Sequence, residues 1–123
     1  MKNNVQLGAF GEGAAAEYLL SLGYTVKERN FRTQAGEIDI IALDGDRTVF
    51  VEVKTRTQGS ESRYGRPASA VNYRKQKSFV FAVKAYQGLH PEALKCRIDV
   101  IEVFVLNGST ELKHIKSAFG DVK

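Results

Sequence analysis

The sequence predicts an α/β fold, a central mixed β-sheet flanked by helices. Three observations lead there. A stripe of Ala15, Ala16, Leu19 and Leu20 at helical spacing opens the chain. Two apolar runs rich in β-branched residues follow, joined at Asp44-Gly45-Asp46, a strong hairpin signal. A second helical stretch then stands between that hairpin and a further pair of strand-like runs. The order is α-β-β-β-α-β-β. Strands 1 to 3 can form a meander, and the second helix lets strand 4 join by a crossover.

Each element has a local reason. Residues 1–8 read as a loose polar lead. The first helix is expected from about Ala9 to Leu22: Gly8, Gly11 and Gly13 make its start permissive, the alanines and leucines propagate it, and Gly23 stops it. Glu12 shares the inward face of Ala15 and Ala16, whereas Glu17, roughly 140° further round, faces water. Tyr24 to Phe31 reads as the first strand, with a polar connection up to Gly36. The second strand is Glu37 to Leu43 and the third Thr48 to Lys54. In the third, Val49, Val51 and Val53 share one face, and Phe50, Glu52 and Lys54 the other. Residues 57–67, with Gly59, Gly65 and Pro67, are expected to form a mobile loop that carries Arg63, Tyr64 and Arg66. Ser69 is a plausible N-cap for a second helix ending near Tyr86 to Gly88, with Val71, Phe79, Ala82 and Ala85 or Tyr86 inward. His90-Pro91 breaks the chain. Cys96 to Leu106 and Glu111 to Ile115 then pair across an Asn107-Gly108 turn.

The 123 residues fit one domain, 1–123, and the 43% hydrophobic and 26% charged fractions are those of an ordinary globular protein. No apolar run is long enough to cross a bilayer, and MKNNVQLGAF has no secretory h-region, so no membrane contact is expected. One cysteine, Cys96, excludes an intramolecular disulfide, and no Cys/His zinc spacing exists, so a reducing cytoplasm is the simplest compartment. The net charge of +4 is unevenly spread. From Lys54 to Lys77 seven basic residues face one acid, Glu61, giving +6 there and −2 elsewhere. A basic segment directly after an acidic hairpin suggests a polyanion beside a cation site, with a solvated basic helix face as the alternative.

The hairpin carries the chemistry. Asp39, Glu52 and Lys54 interrupt an otherwise apolar pair of strands, where an ionised group costs several kcal/mol unless paired or bound to a metal. Glu52 and Lys54, two apart, point the same way, and Asp39 can lie opposite or diagonal to Glu52. Two carboxylates, water and the Val53 backbone carbonyl suit Mg²⁺ or Mn²⁺. Lys54 would sit beside the cation, and Glu12 would complete the pocket directly or through water. Such a site suits phosphodiester hydrolysis. The alternative is a Glu52–Lys54 salt bridge on an exposed face, with Asp39 as a surface acid.

These residues resemble a known group. Asp39, a turn, then Glu52-Val53-Lys54 looks like the core of the PD-(D/E)xK nuclease superfamily. Gly11-Glu12, Gly23-Tyr24, Asn30, Gly36-Glu37-Ile38-Asp39, Val51 to Lys54 with Arg56, Lys75-Gln76, Arg97 to Val100 and Ala118-Phe119 resemble the UPF0102 (YraN-like) family, itself similar to archaeal Holliday-junction resolvases. The superfamily's proline before the aspartate is absent; Ile38 stands there. The resemblance implies a restriction-endonuclease-like core in the order α-β-β-β-α-β. It also implies Asp39 and Glu52 as metal ligands, Lys54 as catalytic lysine, Glu12 as the helix-borne acid and Gln76 in support.

The expected function is therefore a Mg²⁺- or Mn²⁺-dependent endonuclease acting on DNA, branched or structured DNA included. The alternative is a non-catalytic nucleic-acid-binding module retaining the nuclease fold. Arg56, Arg63, Arg66, Lys75 and Lys77 would follow the phosphate backbone. Glu37, on the face of Asp39, would be a further ligand or else support the site from its rim or by hydrogen bonding, and a salt bridge with Glu37 is the structural alternative for Arg56. Cutting a junction would need two active sites and hence a homodimer. Arg97 and Asp99 read as a structural ion pair, His90 and His114 as isolated loop or surface residues, Tyr64 and Tyr73 as base-stacking candidates with a partly packed helix surface as the favoured alternative for Tyr73, and Cys96 as a small buried hydrophobe.

Overall fold

The computed structural model describes residues 4–57 and 73–119. In chain order these residues form helix α1 (Asn4–Ser21), strands β1 (Thr25–Arg32), β2 (Glu37–Asp44) and β3 (Arg47–Thr57), helix α2 (Tyr73–Leu89), a short 3₁₀ turn (Pro91–Leu94), and strands β4 (Cys96–Leu106) and β5 (Ser109–Ile115). The five strands make one sheet in the order β1-β2-β3-β4-β5. All neighbours are antiparallel except β3 and β4, which run parallel across the α2 crossover. This is the expected mixed sheet and a restriction-endonuclease-like arrangement.

Both faces of the sheet are covered, which is why β3 and β4 read as nearly continuous apolar runs. On one face α1 packs Ala15, Ala16 and Leu19 against Ile40, Ala42, Val49, Val51, Ile101 and Val103. On the other, Phe79, Ala82, Val83 and Tyr86 of α2 cover Ile38, Ile41, Phe50 and Ile98. Tyr86 is thus the inward residue of the expected pair, and Ala85 is exposed. The β2–β3 hairpin closes at the Asp44–Arg47 pair, and Gly45 takes φ 65, the left-handed conformation that a two-residue hairpin loop requires.

Two expectations need correction. Residues 4–8 are not a loose lead, because α1 already begins at Asn4. The glycines cost the helix about 1 kcal/mol each in propensity, but Gly11 has a packing role that outweighs this. A Cβ there would sit 1.9 Å from Thr55 Oγ1, so the absence of a side chain lets α1 close onto β3. Thr57, assigned to the loop, is the last residue of β3. The rest of that segment, with Arg63, Tyr64, Arg66, Ser69 and Val71, lies outside the described residues.

Candidate metal centre

The site forms where β2 parts from β3 while it stays paired with β1. The register of β2 on β3 runs from Asp44–Arg47 to Ile40–Val51. On its other side Arg29 pairs with Ile40 and Phe31 with Ile38, and Asn30 between them takes φ 57. Ile38 and Ile40 are two apart, yet they pack into the α2-side and α1-side cores respectively. Strand alternation is therefore interrupted at Asp39. Its carboxylate accepts the Val53 N–H at 2.7 Å. Val53 thus meets Asp39 through its N–H, the group next to the carbonyl that was expected to serve as a ligand.

Three carboxylates converge there. Glu12 from α1, with Glu37 and Asp39 from β2, each place one oxygen within 4.8 Å of the others. Glu12 is inward and Glu17 exposed, as helical spacing requires. Glu37 is a full member of this group and also accepts from Arg32 Nε at 2.6 Å. Glu12 has Arg29 at 3.9 Å, and the Asn30 side chain hydrogen-bonds to it. Burial pushes Asp39 up to about 7, reinforced by the charges of Glu12, Glu52 and Glu37 and opposed by the Val53 N–H. Burial also raises Glu12, against Asn30 and Arg29.

Glu52, expected opposite or diagonal to Asp39, stands outside that group of three, and its charge acts on Asp39. It lies on the α2 side of β3, whereas Glu12 arrives from the α1 side. Asp39 links them, its carboxyl raised by both charges. The Glu52 side chain is 5% exposed, and its Oε2 faces two ammonium groups, Lys54 Nζ at 3.4 Å and Lys75 Nζ at 3.7 Å. Its Oε1 is buried with no hydrogen-bond partner among the described residues. Burial holds Lys54 below the ordinary lysine range; Glu52 opposes this, while Lys75 and Arg56 push further down.

A divalent cation fits this donor set. Hard oxygen ligands from α1 and β2 crowd together, one carboxyl is driven up to about 7 by burial and then by its acidic neighbours, and the nearby buried Glu52 Oε1 has no partner among the described residues. Asp39, Glu12 and Glu37 would hold the ion, with Glu52 as the ligand from β3. A cavity of about 380 Å³ adjoins the cluster, lined by Glu12, Val53, Thr55 and Arg56 among others.

The remaining sequence-derived residues distribute as follows. Lys75 and the half-buried Gln76 lie in the first turn of α2, and Lys77 is exposed. Gly36 packs so closely on α2 that a Cβ would lie 2.4 Å from the Ser78 carbonyl oxygen, which brings this turn to the site. Arg56 pairs with Glu102 of β4 at 3.5 Å and not with Glu37. Glu102 was missed, although it carries the same signal as Glu52, an acid inside an apolar strand. It is 5% exposed and adjoins Lys54 in the parallel register.

Arg97 and Asp99 do form the expected ion pair, at 2.9 Å. His114 is not isolated. Its Nε2 lies 2.7 Å from Asp99 Oδ2 and its Nδ1 3.0 Å from the Tyr18 hydroxyl. The sequence separation of 15 and 96 residues hid both contacts. Asp99 is fully buried; burial pushes it up, but hydrogen bonds from His114, Arg97 and the Ser117 N–H hold it below the ordinary carboxylate range. His90 is half-buried and stacks on Tyr86. Cys96 opens β4 half-buried, close to the Gln87 amide.

Fold and site together define an α/β protein with an acidic cluster where a β-hairpin opens. Comparison with known proteins gives the family. Residues 11–103 match the family described as Uncharacterised protein family UPF0102, and the chain belongs to it. It is 46% identical over 122 residues to a UPF0102 protein of Chlorobaculum parvum, with 92% of this chain and 91% of that protein covered. It is 44% identical over 121 residues to one of Clostridium botulinum strain 657 (94% and 95% covered). With one of Alkaliphilus oremlandii the identity is 40% over 119 residues (94% and 99% covered). Among the described residues no helix is long and apolar enough to cross a membrane.

Proposed function

We propose that the protein is a metal-dependent endonuclease that hydrolyses DNA phosphodiester bonds, branched or structured DNA included. One observation carries this reading: acids from α1 and β2 gather around Asp39, and Glu52 of β3, whose charge also reaches Asp39, lies beside a buried lysine with its Oε1 lacking a hydrogen-bond partner among the described residues. Mg²⁺ or Mn²⁺ at such a site supplies Lewis acidity and lowers the pKa of a bound water. Glu12, Glu37, Asp39 and Glu52 hold the ion. Lys54 Nζ, 3.4 Å from Glu52 and with weakened proton affinity, orients the attacking water and exchanges its proton. Arg56, Arg63, Arg66, Lys75 and Lys77 follow the phosphate backbone, and Gln76 supports the mouth of the site. A homodimer would supply the two sites that a junction requires.

The test is cleavage of linear, single-stranded and four-way-junction DNA with Mn²⁺ by wild type, Glu52→Ala and Lys54→Ala. The reading expects cleavage by wild type alone, with DNA binding kept in both variants. Salt-sensitive binding without any turnover would instead assign a binding module that retains the fold.

A further inference from the structure

The contacts of Glu52 go beyond a list of ligands. Two cations neutralise its Oε2, and they differ in kind. Lys54 comes from the same strand and is 9% exposed, so the sheet fixes it in place. Lys75 reaches over from the first turn of α2 and is 65% exposed. Its ammonium can return to water at little cost, because the lysine side chain is already largely solvated where it stands, although Glu52 is buried.

We infer that Lys75 is an exchangeable counterion: it neutralises Glu52 when the metal site is empty, leaves when a divalent cation arrives, and then meets the phosphate of the bound strand. This rests on the metal-site reading above. A divalent cation on Glu52 Oε1 repels the Lys75 ammonium 3.7 Å from Oε2, and with Lys54 fixed on that same oxygen the mobile Lys75 is the cation that yields. The released ammonium stays at the mouth of the site, held there by the close contact of α2 with Gly36. Metal and nucleic acid are then positively coupled through one side chain, and the coupling is reciprocal. Lys75 is therefore a positioning residue toward the metal and a contact residue toward phosphate. Lys54 cannot fill this role, because its burial denies it a route to solvent.

The experiment is calorimetric titration of Mn²⁺ into wild type, Lys75→Met and Lys75→Arg. Fluorescence anisotropy of a short labelled duplex, with and without Ca²⁺ as a hard cation, provides the second readout. Lys75→Met should bind Mn²⁺ about three- to tenfold more tightly than wild type, because the competing charge is gone. Its duplex affinity should gain less from the cation than that of wild type. Lys75→Arg, which keeps the charge, should behave as wild type does in both. Equal or weaker Mn²⁺ binding by Lys75→Met overturns the exchange. Wild type that binds no Mn²⁺ overturns the metal site itself, and the exchange with it.

Discussion

Replacing Asp39 with Asn should stabilise the protein, and the gain should grow with pH. In the folded chain the Asp39 carboxyl is pushed from its ordinary 3.8 up to about 7. Folding therefore favours the protonated form. Its stability contribution is complete below about pH 4, the unfolded value, and is lost as pH rises through 7. Relative to pH 3 the raised carboxyl lowers stability by about 1.5 kcal/mol at pH 5, where the unfolded chain ionises and the folded one does not, and by about 4 kcal/mol at pH 8, where both are ionised. Asparagine has the same shape, its Oδ1 can still accept the Val53 N–H, and it carries no charge to repel Glu12, Glu37 and Glu52. Urea unfolding of wild type and Asp39→Asn across pH 4 to 8 should show the variant gaining steadily, by on the order of 2–4 kcal/mol at pH 8. In melting temperature this is on the order of 10 °C. Saturating Mn²⁺ at pH 8 should raise wild type toward the variant and move the variant much less. A pH-independent difference, or a variant less stable than wild type at pH 8, would refute the crowding of charge at Asp39.

Two further outcomes test the frame that holds the site. Gly11→Ala should destabilise by about 1–3 kcal/mol in urea unfolding despite alanine's better helix propensity, because the new Cβ meets Thr55; a gain in stability would show that α1 does not rely on this contact. His114→Ala should cost about 2–3 kcal/mol in the same assay, since it removes partners of the buried Asp99 and of Tyr18, while Mn²⁺ affinity should stay at the wild-type value. A change in metal affinity without a change in stability would contradict its structural assignment.

Local chemistry made much of this legible. The Asp44-Gly45-Asp46 turn set the hairpin, alternation along β3 put Glu52 with Lys54, and helical spacing chose Glu12 over Glu17. What stayed hidden was set by contacts distant in sequence. Gly11 reads as a weak helix residue until Thr55 is seen against it. His114 reads as isolated until Asp99 and Tyr18 close on it. The position of Glu52 outside the group of Glu12, Glu37 and Asp39 depends on the break in alternation at Asp39 and the left-handed Asn30 beside it. A period of two along an ideal strand cannot foresee such a break. Glu102 was readable in principle, as the same kind of buried acid as Glu52, but its partner Arg56 is 46 residues away.

The most direct test of the central claim is an anomalous-scattering map from crystals grown or soaked with Mn²⁺. The account predicts a peak beside Asp39, within bonding distance (about 2 Å) of its carboxylate and those of its acidic neighbours, Glu52 included. The Lys75 ammonium should have withdrawn from Glu52. A map with Mn²⁺ only at exposed surface acids, and Lys75 still paired with Glu52, would contradict it.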